Sequence, residues 1–301
     1  MSQVGVKQMR SLLFVPGDSA RKLDKARGSD ADALILDLED SVAAGRKADA
    51  RRSTLSFLKE FAQATHRPRL LVRVNAIATG LADADLDAVI GGRPDAILLP
   101  KAEGGASIAH LDAKLAVREA QNGLPDGCVR IIALTTETAK ALFLAGSYAG
   151  ASVRLIGLTW GAEDLSAQLG AETSRDTQGR FLDPYRLART LCLAAAAAAE
   201  VPAIDTVHVD FRDTAGLRRE AEEARRDGFT GKLAIHPGQV AIINEVFTPR
   251  ADAIARAKAV VAAFAADPEA GVVAIDGVMY DRPHLARAKH MLTRAKAAGG
   301  S

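Results

Sequence analysis

The chain has 301 residues, of which 48% are hydrophobic and 25% charged, and its formal net charge is +2. That length holds one large α/β barrel with residues to spare. A near-balanced charge with only 4% aromatic residues leaves no basis for a nucleic-acid surface, and the longest apolar stretch, Leu191 to Ala199, is too short to span a bilayer.

Residues 1–10 lack the charged-then-apolar pattern of a secretory signal. A first strand is predicted over 11–15, followed by a helix carrying Arg21, Lys22 and Lys25. The run 33–38 reads as a second strand ending in Asp37, Glu39 and Asp40, with a helix over 44–63. The third, 70–74, presents Arg73 and leads to Asn75, then a helix over 82–90. The fourth, 96–99, delivers Lys101 ahead of a helix over 104–120. The fifth, 130–135, delivers Glu137, and the sixth, 153–158, leads through Trp160 to Glu163 and Asp164. Asp183-Pro184 reads as a cap and first-turn proline for a helix over 184–199. Strands over 206–209 and 233–236 complete the set, with helices over 214–227 and 239–247. Asp213 and Gly228 mark the ends of the former helix. Cys128 and Cys192 sit in apolar surroundings and read as free buried thiols, which suits a reducing cytoplasm.

Eight nearly all-apolar strands alternating with helices predict parallel pairing, both sheet faces covered, and a closed (β/α)8 TIM barrel over 1–249. A doubly wound sheet is the alternative, but the first strand is followed by a single glycine, Gly17, rather than a dinucleotide fingerprint. Residues 250–301 read as a C-terminal extension: a helix over 251–266, a strand over 272–275, a turn at Asp276-Gly277 and a helix over 283–297. A tail with so little core of its own docks on the barrel or on a neighbouring subunit.

Charge at the end of several buried strands is costly unless it has a task, and it points to one shared site at the barrel mouth. Glu137 and Asp164 end neighbouring strands with few histidines nearby, which suits a hard cation such as Mg²⁺. The competing reading makes them two helix N-caps, and Glu163 competes with Asp164 for the ligand role. Arg73 faces an anion or a developing oxyanion, or else pairs structurally with Asp37 or Glu39. Asp37, Glu39 and Lys101 read as charges that orient Arg73 and metal-bound waters. Arg21, Lys22 and Lys25 form either a phosphate cradle or a solvated helix face.

Seven short motifs in order carry a family resemblance. They are Arg10-Ser11-Leu12-Leu13-Phe14-Val15-Pro16-Gly17, Leu36-Asp37-Leu38-Glu39-Asp40-Ser41-Val42, Val72-Arg73-Val74-Asn75 and Leu99-Pro100-Lys101, then Glu137-Thr138-Ala139, Gly161-Ala162-Glu163-Asp164-Leu165 and Ile235-His236-Pro237. The chain resembles the citrate lyase beta subunit-like proteins of the HpcH/HpaI aldolase superfamily, which include malyl-CoA, citramalyl-CoA and citryl-CoA lyases. The resemblance implies a TIM barrel assembled as a homotrimer or hexamer. It implies Mg²⁺, with Mn²⁺ as a substitute, on Glu137 and Asp164, and Arg73 on the reacting oxygens. It also implies coenzyme A as part of the substrate, with Lys25 and Arg21 on its phosphates. Asp40 joins Asp37, Glu39 and Lys101 behind the site. Gly277-Val278-Met279-Tyr280-Asp281-Arg282-Pro283 is similar to the family's C-terminal motif, whose aspartate enters the adjacent subunit's site, so Asp281 is the candidate acid/base.

The expected reaction is Mg²⁺-dependent cleavage, or formation, of a carboxylated 3-hydroxyacyl-CoA into an acyl-CoA and a 2-keto acid. The rivals are thioester hydrolysis of the malyl-CoA type at the same site and a class II pyruvate aldolase acting on free acids. Relatives of the aldolase kind carry Glu-His after strand two, where this chain has Glu39-Asp40. Residues near Thr135, Thr136 and Trp160 are expected to set the choice of acid.

Overall fold

The computed structural model describes residues 9–61, 64 and 67–297. Most of the signal-pattern segment and residues 62–63 of the predicted second helix lie outside them. Eight parallel strands close into a barrel in sequence order. They are β1 (Ser11–Pro16), β2 (Ala33–Asp37), β3 (Arg69–Arg73), β4 (Ala96–Leu99), β5 (Arg130–Thr135), β6 (Leu155–Trp160), β7 (Ala203–Asp205) and β8 (Gly231–Ala234). The helices between them are α1 (Ala20–Ala26), α2 (Lys47–Phe61), α3 (Ala82–Val89), α4 (Gly105–Gln121), α5 (Ala139–Leu144), α6 (Ala162–Leu169), α7 (Asp183–Ala198), α8 (Thr214–Asp227) and α9 (Val240–Phe247). The (β/α)8 expectation is met. Among the described residues no helix is long and apolar enough to cross a membrane.

The two-residue strand period sorts the apolar residues into two layers. Leu12, Ile35, Leu71, Leu98, Ile132, Ile204 and Leu233 fill the barrel interior. Leu34, Leu36, Val72, Ile97, Leu99 and Ile131 face the helices. The helix faces answer with matching spacing: Ile108, Leu111 and Leu115 on α4, and Leu217, Ala221 and Ala224 on α8 are buried. Each buried leucine, isoleucine or valine among them contributes about 1.5–3 kcal/mol of burial. Helix α8 begins where the Asp213 carboxylate accepts the Gly216 N–H at 2.8 Å, and it ends at Gly228, φ 120°.

Three strands are displaced by two or more residues from the sequence expectation. The sixth strand starts later, because a register shift beside Ile131 and Ile132 carries pairing on to Trp160. The seventh is Ala203–Asp205, not 206–209. Val207 and Val209 supplied the apolar signal, yet Val209 is 48% exposed, whereas Asp205 is buried at the strand end. Its charge is tolerated because Lys232 Nζ lies 2.7 Å away and Trp160 Nε1 donates at 2.9 Å. The eighth strand starts at Gly231, where the backbone of Met9 and Arg10, just before β1, passes close. A Cβ there would lie 2.1 Å from the Met9 carbonyl oxygen. Gly231→Ala is therefore expected to cost about 2–4 kcal/mol in urea unfolding, and an unchanged midpoint would contradict this packing. Asp183 is the first residue of α7 rather than its cap; Leu182 occupies the cap position. Cys192 is buried, but Cys128 is only half-buried, because it follows the exposed turn before β5.

The extension comprises α10 (Ala251–Ala266), β9 (Val272–Ile275), β10 (Val278–Asp281) and α11 (Arg282–Ala297). Strands β9 and β10 form an antiparallel hairpin. Its turn residues Asp276 and Gly277 both have positive φ, 51° and 75°, as a two-residue hairpin turn requires. Ala257, Val260, Phe264, Leu285 and Ala288 make a small apolar cluster separate from the barrel core. Val272, Val278 and Met279 are exposed on the hairpin.

Candidate active site

A cavity of about 700 Å³ opens at the C-terminal ends of the strands. Arg21, Lys25, Asp37, Asp40, Arg73, Glu137, Glu163 and Asp164 all line it. Eight sites scattered over the chain converge here because parallel strands point their ends the same way. Glu39 and Lys101 pair with wall residues, Glu39 with Arg73 and Lys101 with Asp164.

Arg73 ends β3 beside Asp37, its register partner at the end of β2. Nε and Nη2 form a fork on the two Asp37 oxygens, each at 2.7 Å, and Nη1 lies 3.0 Å from Glu39 Oε2. The guanidinium carbon sits 4.7 Å from the centre of the Phe14 ring. The expected ion pair and the cavity-facing arginine are thus one arrangement. Burial works against both charges. The fork outweighs it, holding the Asp37 carboxyl below the ordinary carboxylate range and raising the Arg73 pKa further. Ser41 and Glu39 N–H groups also donate to Asp37, at 3.2 and 2.9 Å. The plane of Arg73 is fixed on one edge, and N–H groups of Nη1 and Nη2 remain for an anion in the cavity.

Glu137 follows β5 and is buried. Burial, together with the negative charges of Asp164 and Glu39, pushes its carboxyl up to about 8. Its Oε2 accepts the Lys101 N–H at 2.6 Å, while Oε1 accepts no hydrogen bond among the described residues. Gly161 makes room for this carboxylate, since a Cβ at 161 would come within 2.8 Å of Oε1. Asp164 sits in the first turn of α6, and its Oδ1 lies 3.1 Å from Lys101 Nζ. Glu163, also in the cavity wall, accepts from Ser174 at 3.4 Å. Neither Glu137 nor Asp164 acts as an N-cap: Thr138 caps α5, and the α6 cap position is Gly161. Two repelling carboxylates, each with an oxygen left over, are a donor set that a hard divalent cation fits. Among the described residues no group of three or more acid, histidine or cysteine side chains could hold a metal. Two carboxylates with the remaining positions left to water and substrate is the pattern expected of Mg²⁺.

Thr135, Thr136, Trp160 and Asp281 stand differently toward the cavity. Thr135 and Thr136 are wholly buried and do not line the cavity, whereas Trp160 does. Asp281 lies outside the cavity wall, on the hairpin, paired with the His284 ring. That hydrogen bond holds its carboxyl below the ordinary range. Sequence reading missed Phe14, whose only signal was its place two residues after the inward Leu12. It also missed Lys47, which left no local signal: its Nζ ties the Leu38 and Glu39 carbonyls, each at 2.7 Å, to Asn75 Oδ1 at 2.8 Å. This pins the loop that presents Glu39 and Asp40.

Beyond β7 and β8 a second ionic network supports the mouth. Glu220 on α8 lies 3.1 Å from His208 Nδ1 and 3.5 Å from the buried Lys232 Nζ, and Arg175 donates to it. Burial opposes its ionisation, but the contact with His208 and the charges of Lys232 and Arg175 outweigh burial and bring the Glu220 carboxyl down to about 2. A carboxylate depressed in the fold adds stability above its unfolded pKa and loses it as pH falls through the folded value. The stability gap between wild type and Glu220→Gln is therefore expected to shrink from about pH 5 to about pH 2, by on the order of 3 kcal/mol. Urea titrations across that range check it; a pH-independent gap would contradict the network.

Comparison with known proteins agrees with this geometry. Residues 10–237 match the HpcH/HpaI aldolase/citrate lyase family. A (3S)-malyl-CoA thioesterase of Cereibacter sphaeroides is 39% identical over 294 residues, covering 96% of this chain and 95% of that protein. The mitochondrial citramalyl-CoA lyase of Rattus norvegicus is 34% identical over 302 residues, covering 95% and 86%. The crystal structure of CitE from Mycobacterium tuberculosis, in complex with magnesium, acetoacetate and coenzyme A, superposes with a TM-score of 0.76 at 34% identity, covering 96% of this chain and 98% of that one. The barrel, the ordered motifs and these matches agree: the chain belongs to the HpcH/HpaI aldolase/citrate lyase family.

Proposed function

We propose that this protein is a Mg²⁺-dependent carbon–carbon lyase that cleaves, or forms, a carboxylated 3-hydroxyacyl-CoA such as citramalyl-CoA, malyl-CoA or citryl-CoA. The observation that carries the reading is the meeting of Glu137, Asp164 and the forked Arg73 in one cavity beneath the basic face of α1. Glu137 and Asp164 would hold the cation. When bound, it supplies Lewis-acid polarisation to the carboxylate and adjoining oxygens of the substrate.

The residues of the chain supply the rest. Asp37 and Phe14 hold the Arg73 plane so that its remaining N–H groups meet oxyanion charge as it develops. In cleavage the Asp281 carboxylate takes the hydroxyl proton, the carbon–carbon bond breaks to give the 2-keto acid, and the bonding pair stays with the acyl-CoA half as an enolate. Asp281 returns a proton to the enolate carbon, and removes it in the condensing direction. His284 keeps Asp281 ionised at rest, ready for that second role. Arg21 and Lys25 on α1 take the phosphates of coenzyme A. Residues 250–301 form a unit apart from the 1–249 barrel, docking on a neighbouring copy in a trimer or hexamer, so that Asp281 serves the neighbour's cavity. The separate apolar cluster of the extension, and a wall of its own cavity that does not include Asp281, support this arrangement. The cytoplasm, whose coenzyme A pool provides such substrates, is the compartment that fits.

A second reading, hydrolysis of the thioester at the same site, is favoured by the 39% identity to a malyl-CoA thioesterase. One assay separates them: malyl-, citramalyl- and citryl-CoA are each incubated with and without Mg²⁺, and keto acid and free thiol are read separately. Keto acid without thiol supports the lyase; thiol without keto acid supports hydrolysis. Neither product from any substrate removes both readings.

A further inference from the structure

Lys101 touches both carboxylates of the candidate cation site, and does so by two different groups. It follows Pro100 at the end of β4 in the left-handed region, φ 50°, a conformation that a side chain with a Cβ adopts only under constraint. That conformation aims its N–H at Glu137 Oε2, 2.6 Å away. The side chain then folds back so that Nζ lies 2.7 Å from Glu39 Oε1, 3.1 Å from Asp164 Oδ1 and 3.7 Å from Asp40 Oδ2. One ammonium therefore sits among three carboxylates, while Arg73 is already committed to Asp37 and Glu39.

We propose that Lys101 is a positioning residue that acts as a resident counter-ion: its ammonium balances Asp164 and Glu39 in the metal-free protein and so opposes binding of a divalent cation there. This rests on the reading of Glu137 and Asp164 as the cation's holders. The physical reason is charge. A point ammonium about 3 Å from Asp164 offsets part of the negative potential that a divalent cation needs, and it repels that cation directly. The backbone N–H of residue 101 is unaffected by side-chain replacement, so Glu137 keeps its orientation when the ammonium is removed. The resulting weak affinity makes the substrate's own carboxylate part of what recruits the metal, tying cation loading to substrate arrival.

The test is calorimetric titration with Mg²⁺ alone, together with thermal unfolding of the metal-free protein, on wild type, Lys101→Met, Lys101→Gln and Lys101→Arg. Removing the charge is expected to tighten Mg²⁺ binding by about tenfold while lowering the metal-free unfolding temperature, and arginine is expected to restore wild-type affinity. Lys101→Gln, which retains a hydrogen bond to Glu39, covers the case in which Lys101→Met fails to fold. A merely structural lysine would leave Mg²⁺ affinity unchanged or weaken it in the neutral variants, and either result overturns the inference. Absence of saturable Mg²⁺ binding by wild type would instead remove the reading of the site on which it rests.

Discussion

Arg73→Lys is expected to lower turnover by about a hundred- to a thousand-fold while leaving Mg²⁺ affinity near that of the wild type. Lysine keeps the charge that Asp37 needs, so the buried carboxylate is not stranded. What is lost is the planar fork. Two parallel bonds of 2.7 Å to Asp37, with the Phe14 ring beneath, currently fix where the remaining N–H groups point. A flexible ammonium satisfies Asp37 or an oxyanion, but does not hold one while waiting for the other. Steady-state kinetics with Mg²⁺ titration on the same preparation measures both quantities. Near-wild-type turnover would take Arg73 out of the chemistry and leave it a purely structural ion pair.

Glu137→Gln is expected to abolish measurable Mg²⁺ binding and to lower turnover by at least about a thousand-fold, with no loss of stability in the metal-free protein. The carboxylate is buried, faces Asp164 and Glu39, and receives one backbone hydrogen bond. A buried acid so placed strains the fold when charged, and a neutral amide of the same shape relieves that. A ligand that binds only the folded state raises the unfolding temperature. Wild type should therefore gain thermal stability on adding Mg²⁺, and Glu137→Gln should not. A variant that unfolds earlier than wild type without metal would show that Glu137 serves the architecture rather than the cation.

Much of the site was legible in the chain because strand ends in a parallel barrel share one mouth. Asp37, Arg73, Glu137 and Asp164 each follow a short apolar run, and each reaches the cavity wall. Side chains whose placement depends on a distant partner were not legible. Phe14 reads as one more apolar strand residue until Arg73 lies over it. Lys47 is an ordinary helix residue until its ammonium meets two carbonyls from the β2 loop. Val207 and Val209 placed the seventh strand at 206–209, whereas the buried strand ends at Asp205, whose partners Lys232 and Trp160 lie on two other strands.

The amino-acid order alone determined the class of fold, the succession of its strands and the residues that gather at one end. Those follow from local apolar periodicity and from the single direction in which parallel strands run. Only the tertiary structure decided which of the gathered charges neutralise each other. Arg73 commits to Asp37, Lys101 bridges Glu39 and Asp164, and Glu137 is left with a free oxygen, because inter-strand register and the left-handed turn at Lys101 set distances of a few ångströms between residues far apart in the chain. Coulomb energies change steeply over such distances, so register rather than composition assigns each charge its partner.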